Sequence, residues 1–273
     1  MRVSMTRNPA VAGQFYPDSE KTLTKQLGTM VDLSMKKESA IGVVSPHAGY
    51  IYSGYVAGAV LSSIKPRPVY VIMGPNHTGL GGPFSICSSD TWKTPLGEVR
   101  VNKKLASALS AGCPLIKEDE TAHIYEHSIE VQLPFLQTIQ KDFTFVPIVI
   151  GSNSLADFQE VGKAIAAAVK KLKMESDVTI IASSDMTHYE PQDRVEEKDK
   201  KAIAAILELD EKKLIDAVGK FDITMCGFGP VSTMLAASKA LGAKEAKLIK
   251  YQTSGDTSGD FSSVVGYAGI IIY

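Results

Sequence analysis

The chain has five histidines, His47, His77, His123, His127 and His188, and three of them occupy the same kind of place. His47 stands in SPHAGYIYSG, straight after the apolar run AIGVV. His77 stands in GPNHTG after PVYVIM, and His188 in SSDMTHYE after DVTIIA. A neutral imidazole is both a common metal ligand and a proton carrier near neutral pH. One histidine after a strand is as readily a loop hydrogen-bonder, but three in equivalent places point to a shared metal or catalytic site. Cys226, in the glycine-rich loop DITMCGFGP, is a further candidate. A helix starting near Pro230 would favour its thiolate, the form that binds metals or attacks electrophiles. The plain alternative is a small buried packing residue. Asp185 precedes His188 by three positions. It could orient that histidine, bind a metal, or cap the turn. Cys87 and Cys113 lack such surroundings and read as packing or loop thiols.

His123 and His127, with Glu126 between them, match the H-x-x-E-H pattern of inverted zinc peptidases. On a helix both histidines would share a face. The downstream acidic ligand that such a peptidase needs has no distinctive counterpart here. The favoured expectation is that Glu126, His127 and Glu130, with Asn76 in GPNHTG, line or brace a pocket made by the strand-end loops.

These residues need elements to position them. Six segments read as buried strands, being short, β-branched and bounded by turn residues: 40–45, 68–74, 143–151, 177–185, 246–252 and 262–273. They are apolar on both faces more than they alternate, which favours a sheet covered on both sides. Helical periodicity covers 20–35, 154–174, 126–139 and 230–243. Pro134 should bend or break the third of these, and Pro230 should open the fourth. The charged run 194–214 reads as one solvated helical face. Strand–helix alternation implies a single three-layer α/β domain over residues 1–273, without linker or repeat. Ligands in such sheets bind beyond the carboxyl ends of the strands. If the strands before His47, His77 and His188 are parallel neighbours, their loops meet at one edge.

Composition narrows the function classes. The chain has 273 residues, 44% hydrophobic and 22% charged, with a formal net charge of -1. No basic stripe suggests nucleic acid, and no polybasic or amphipathic anchor suggests a membrane surface. No apolar run approaches the ~20 residues that span a bilayer. The first residues lack the apolar core of a signal peptide. Three scattered cysteines make no disulfide framework. The expectation is a reduced, cytoplasmic protein.

NPAVAGQFYP, SPHAGYIYSG, GPNHTG, TPLGEV, EHSIEVQLPF, SSDMTHY and the Cys226 loop followed by SSVVGYAGIII together resemble the Memo family, in order and over nearly the whole chain. That family is similar in turn to class III extradiol dioxygenases, which hold non-haem Fe(II) with two histidines and a carboxylate. The resemblance implies a mixed central β-sheet flanked by helices, and a pocket formed by His47, His77, Asp185, His188 and Cys226. It implies His47 and His77 as metal ligands, and His188 with Asp185 as the acid–base pair. Cys226 stands where the dioxygenases offer a carboxylate. A thiolate there softens the site toward copper or zinc. The implied cofactor is therefore a divalent metal, Fe, Cu or Zn, with no organic cofactor. The implied function is metal-dependent, dioxygenase-like redox chemistry on a small molecule. Two alternatives stay open: a non-enzymatic module binding a peptide or anion in the same pocket, and nucleophilic catalysis by Cys226 with His188 as base. Protein partners are not named by the sequence. Tyr50, Tyr52, Trp92 and Tyr189 are candidates to line a pocket for a planar substrate, or to pack in the core.

Overall fold

In the strand Val69–Pro75, Val69, Val71 and Met73 enter one apolar core while Tyr70 and Ile72 enter another. Gly42–Ser45 divides likewise, with Val44 on the first side and Val43 on the second, and so does Val178–Ser183, with Ile180 and Ala182 opposite Ile181. Successive side chains of a strand point to opposite faces. When both faces are buried, neither position needs to be polar, which is why these runs read as continuous apolar stretches. This computed structural model describes residues 5–87 and 89–273.

Four strands form a parallel centre in the order Thr144–Ile150, Val69–Pro75, Val178–Ser183, Gly42–Ser45. Val264–Ile272 joins antiparallel to Gly42–Ser45, and Ala246–Thr253 antiparallel to it, so the sheet is mixed. On the other flank Gly97–Val101 pairs in parallel with Thr144–Ile150. The helices Leu155–Lys171, Phe228–Ala240, Gln192–Leu207 and Lys103–Gly112 contribute to the first core. Glu20–Leu27, Tyr50–Ser62 and Leu133–Ile139 contribute to the second. The three layers and the mixed sheet are those expected. Tyr50–Ser62 comes close to the preceding loop through Gly58, where a Cβ would stand 2.2 Å from the carbonyl oxygen of Met30. No helix among the described residues is long and apolar enough to cross a membrane.

Three helical expectations are corrected. The helix from Glu20 stops at Leu27, and the residues to Met35 form turns. The charged run is two helices, Gln192–Leu207 and Glu211–Lys220, parted by Leu209 at φ 56. Asp210 caps the second, its side chain accepting from the Lys213 N–H at 2.9 Å. The largest difference lies at 126–139. A 3₁₀ turn covers Glu130–Gln132 and the α-helix starts only at Leu133, with Pro134 in its first turn. Proline there removes no hydrogen bond, so it opens this helix instead of bending a longer one. His123 therefore lies on a turn and Glu126 and His127 on irregular backbone, and they share no helix face.

Candidate functional site

The loops after Ser45, Pro75 and Ser183 leave three adjacent parallel strands at one sheet edge. They bring His47, His77 and Asp185 to one cavity of about 780 Å³. His188 and Cys226 also line it.

Hydrogen bonding sets the tautomers of His47, His77 and His188. The Ser183 hydroxyl donates its single hydrogen to the Ser128 carbonyl at 2.6 Å and accepts from Gln132 Nε2 at 2.9 Å. His47 Nδ1, 3.0 Å from the same oxygen, must therefore be the donor. That leaves Nε2 with its lone pair, 3.2 Å from Cys226 Sγ. His77 Nδ1 donates to Glu126 Oε1 at 2.9 Å, and His188 Nδ1 donates to the Thr224 carbonyl at 2.9 Å. All three imidazoles are held through Nδ1, with Nε2 left to accept. A ligating histidine is oriented in this way by a carboxylate or carbonyl on its other nitrogen.

Ligand atoms of His47, His77 and Cys226 lie within 4.8 Å of one another. Two imidazole nitrogens and a sulfur suit copper, zinc or iron. His77, Glu126 and His127 form a second triple with atoms within 4.8 Å. Glu126 is already saturated, however. It accepts from the His77 N–H at 2.6 Å, from His77 Nδ1, and from the His127 and Ser128 N–H groups at 2.9 Å. It is a brace for the histidines. His127 stacks on His77 at 4.6 Å between ring centroids.

Electrostatics follow burial. Burial pushes His47 well below the usual histidine value, and the neighbouring His127, His77 and His188 push the same way. Burial also lowers His127 to about 4. Asp185 is raised to about 6 by burial, although the N–H groups of His47 and Ala48 donate to its Oδ1 at 2.8 and 3.3 Å. Burial would raise Glu126 too, but its bonds from His77 and Ser128 outweigh that and hold it at about 2. Cys226 departs from the expected thiolate. It precedes the helix Phe228–Ala240, yet burial and the Asp185 charge push its thiol up.

Not every candidate reaches the cavity. Asn76 closes its own turn, accepting from the Gly79 N–H at 2.9 Å and donating to the Leu80 carbonyl at 2.7 Å, and it stands outside the lining. Glu126 and Glu130 lie behind the wall. Glu130 is fully buried, paired with Arg7 at 2.6 Å, and accepts from the Tyr16 hydroxyl at 2.6 Å. His123 turns away, with Nε2 3.0 Å from the Ser85 carbonyl, so the two-histidine face of a zinc peptidase is not built. Tyr50 and Trp92 are core residues: the Tyr50 hydroxyl donates to the Val131 carbonyl, and Trp92 packs beneath Arg7. Tyr52 and Tyr189 do line the cavity, together with Phe15, Thr224 and Tyr267, which sequence reasoning missed. Thr224 stands two positions before Cys226; Phe15 and Tyr267 lie within the segments NPAVAGQFYP and SSVVGYAGIII, but nothing local singled them out as lining residues.

A family model described as Memo-like protein matches residues 7–271. A MEMO1 family protein of Methanopyrus kandleri is 44% identical, over 98% of this chain and 99% of its own. One of Methanosarcina barkeri is 47% identical, over 97% of this chain and 99% of its own. The crystal structure of an uncharacterized protein of Escherichia coli K12 superposes with a TM-score of 0.57 at 14% identity, covering 84% of this chain and 98% of that one. At that identity the likeness is one of fold alone.

Proposed function

The chain belongs to the Memo family, and on that premise we propose that the strand-end cavity is a metal-dependent redox site acting on a small molecule. One observation carries the reading. The ligand atoms of His47, His77 and Cys226 lie within 4.8 Å of one another, and the Nδ1 atoms of both histidines are committed elsewhere as donors. A bound iron, copper or zinc ion would supply Lewis acidity there, and iron or copper would add electron exchange.

The chain's own groups handle the protons. His188 offers Nε2 to a proton on a bound molecule, because its Nδ1–H is held by Thr224. Asp185, raised to about 6, exchanges a proton near neutral pH, where a general acid or base works best. Phe15, Tyr52 and Tyr267 supply the apolar wall that limits water around the reacting groups. Glu126 stays ionised and keeps His77 aimed.

The test is the metal content and metal affinity of untagged protein purified anaerobically, for the natural chain beside His47→Ala and Cys226→Ser. The expected result is about one equivalent of iron or copper, as one mononuclear set of ligands holds, lost in both variants. Variants that bind Fe(II), copper and zinc as tightly as the natural chain would overturn the assignment. A metal-independent binding module using the same cavity would keep its ligand after chelation; a redox site would not retain turnover.

A further inference from the structure

The cavity wall has an unbalanced charge. Among the described residues that line it there is no lysine or arginine, while two carboxylates, Asp185 and Asp260, do. Asp185 is the more telling. Its side chain is 6% exposed, its Oδ1 takes both backbone donors, and its Oδ2 has no hydrogen-bond partner among the described residues. The nearest nitrogen given for Oδ2 is His47 Nε2 at 4.0 Å. Buried carboxylates are ordinarily paired. Asp260 stands at the mouth, oriented by the Ser262 N–H at 2.9 Å and the Ser262 hydroxyl at 2.6 Å, both donating to Oδ1.

Besides the four histidines and the Cys226 thiol, the lining carries four aromatic side chains, Phe15, Tyr52, Tyr189 and Tyr267. Tyr189 is displayed in an unusual way. It is the residue skipped between the pairs His188↔Val265 and Glu190↔Val264, with φ 58 and 76% exposure. Its ring stands 5.6 Å from that of His188. Tyrosine faces stack on planar rings and attract cations.

We infer that the cavity takes a planar ring carrying a cationic, ammonium-type tail. The inference rests on reading this cavity as the small-molecule site. The tyrosines stack on the ring and the carboxylates attract the tail, whereas in the metal-free chain an anion would meet these two carboxylates and no lysine or arginine. The cavity, at about 780 Å³, lies within the size range of small-molecule sites.

The test uses three ligands that share a ring and do not chelate metals: 2-phenylethylamine, 2-phenylethanol and 3-phenylpropionate. Affinities are measured by calorimetry on chelator-treated protein. Roughly tenfold tighter binding of the amine than of the carboxylate is expected, with the alcohol between, as charge complementarity dictates. Raising the salt should weaken the amine and leave the alcohol unchanged. Asp260→Asn and Tyr189→Leu, both at exposed positions, should each weaken the amine by about threefold or more, with melting temperatures checking the fold. Equal or reversed ranking, no binding of any of the three, or variants that bind the amine as the natural chain does would each overturn the inference. None of these ligands needs the ion, so this result stands or falls apart from the metal-content experiment.

Discussion

Glu126 and Asp185 sit on two sides of the same pair of histidines and are both almost wholly buried, at 1% and 6% side-chain exposure. Burial pushes both carboxyls up, yet one is held at about 2 and the other is raised to about 6. The difference is in the donors. Glu126 receives three backbone N–H groups and the His77 ring, while Asp185 receives two backbone N–H groups on one oxygen. Hydrogen bonds to the charged form favour it against desolvation. The back wall, with Glu126, Glu130, Gln132 and Ser183, therefore holds satisfied groups that fix geometry. The cavity wall holds groups left open, Asp185 Oδ2 and the Nε2 atoms of His77 and His188, beside His47 Nε2 and the Cys226 thiol, which meet each other at 3.2 Å. Satisfied networks stabilise, and unsatisfied groups are where ligands gain.

The sharpest way to break this contrast is to damage the back wall. Glu130→Gln leaves the Arg7 guanidinium buried without the negative charge that faces it at 2.6 Å. Breaking one side of a buried pair costs about 3–5 kcal/mol. Denaturant unfolding should show a loss of that size, and a loss below ~1 kcal/mol would mean that the back wall is not structural.

The two carboxylates should then respond to pH with opposite sign. Glu126 has a folded pKa of about 2 against an ordinary 4.5. The unfolded chain takes up the proton first as pH falls, so the stability from Glu126 is present above 4.5 and is lost toward 2. By the usual conversion this is about 3 kcal/mol. Glu126→Gln should forfeit it at pH 7, and should weaken metal affinity roughly 10–100-fold, the usual penalty for removing a carboxylate behind a ligating histidine. Asp185 is raised to about 6 from 3.8, so the folded chain holds a proton that the unfolded chain has already released. Its contribution falls as pH rises through that window and stays low above it. Metal-free Asp185→Asn should therefore gain on the natural chain between pH 4 and 6, by about 2–3 kcal/mol before any loss from the altered acceptor. Difference curves between variant and natural chain cancel, to first order, the depressed titrations of His47 and His127. Same-sign curves for the two variants would remove the distinction between the walls.

How much of this was legible in the sequence follows the same division. The central strands could be read because burial on both faces leaves a continuous local signature, as in Val69–Met73. His47, His77 and Asp185 could be read because a strand end is a local feature, and three adjacent parallel strands carry all of them to one edge. The braces could not. Arg7 meets Glu130 across 123 positions, and nothing near either residue announces the other. The segment 126–139 misled for a physical reason. Glu126, Glu130 and Gln132 are polar residues buried in the back wall, so their spacing with the apolar residues imitates an amphipathic helix. Cys226 misled because a helix start and burial act oppositely on a thiol, and only the fold shows which prevails.

The smallest expected effect lies at the lip of the cavity wall. Tyr189 holds a left-handed backbone at φ 58, which a bulky L-residue adopts at a cost of roughly 1–2 kcal/mol. Its ring is largely in solvent, so little packing offsets that strain. Tyr189→Gly relieves the backbone but adds unfolded-chain freedom that costs about 0.5–1 kcal/mol. The net gain in stability should lie between zero and about 1.5 kcal/mol, read as a melting temperature up to a few degrees higher. Binding of 2-phenylethylamine should weaken in the same variant. Stability and binding would then move in opposite directions, as they do where strain is held for a ligand. A variant destabilised by more than ~1 kcal/mol would show instead that the ring packs, and Tyr189 would belong with the satisfied wall.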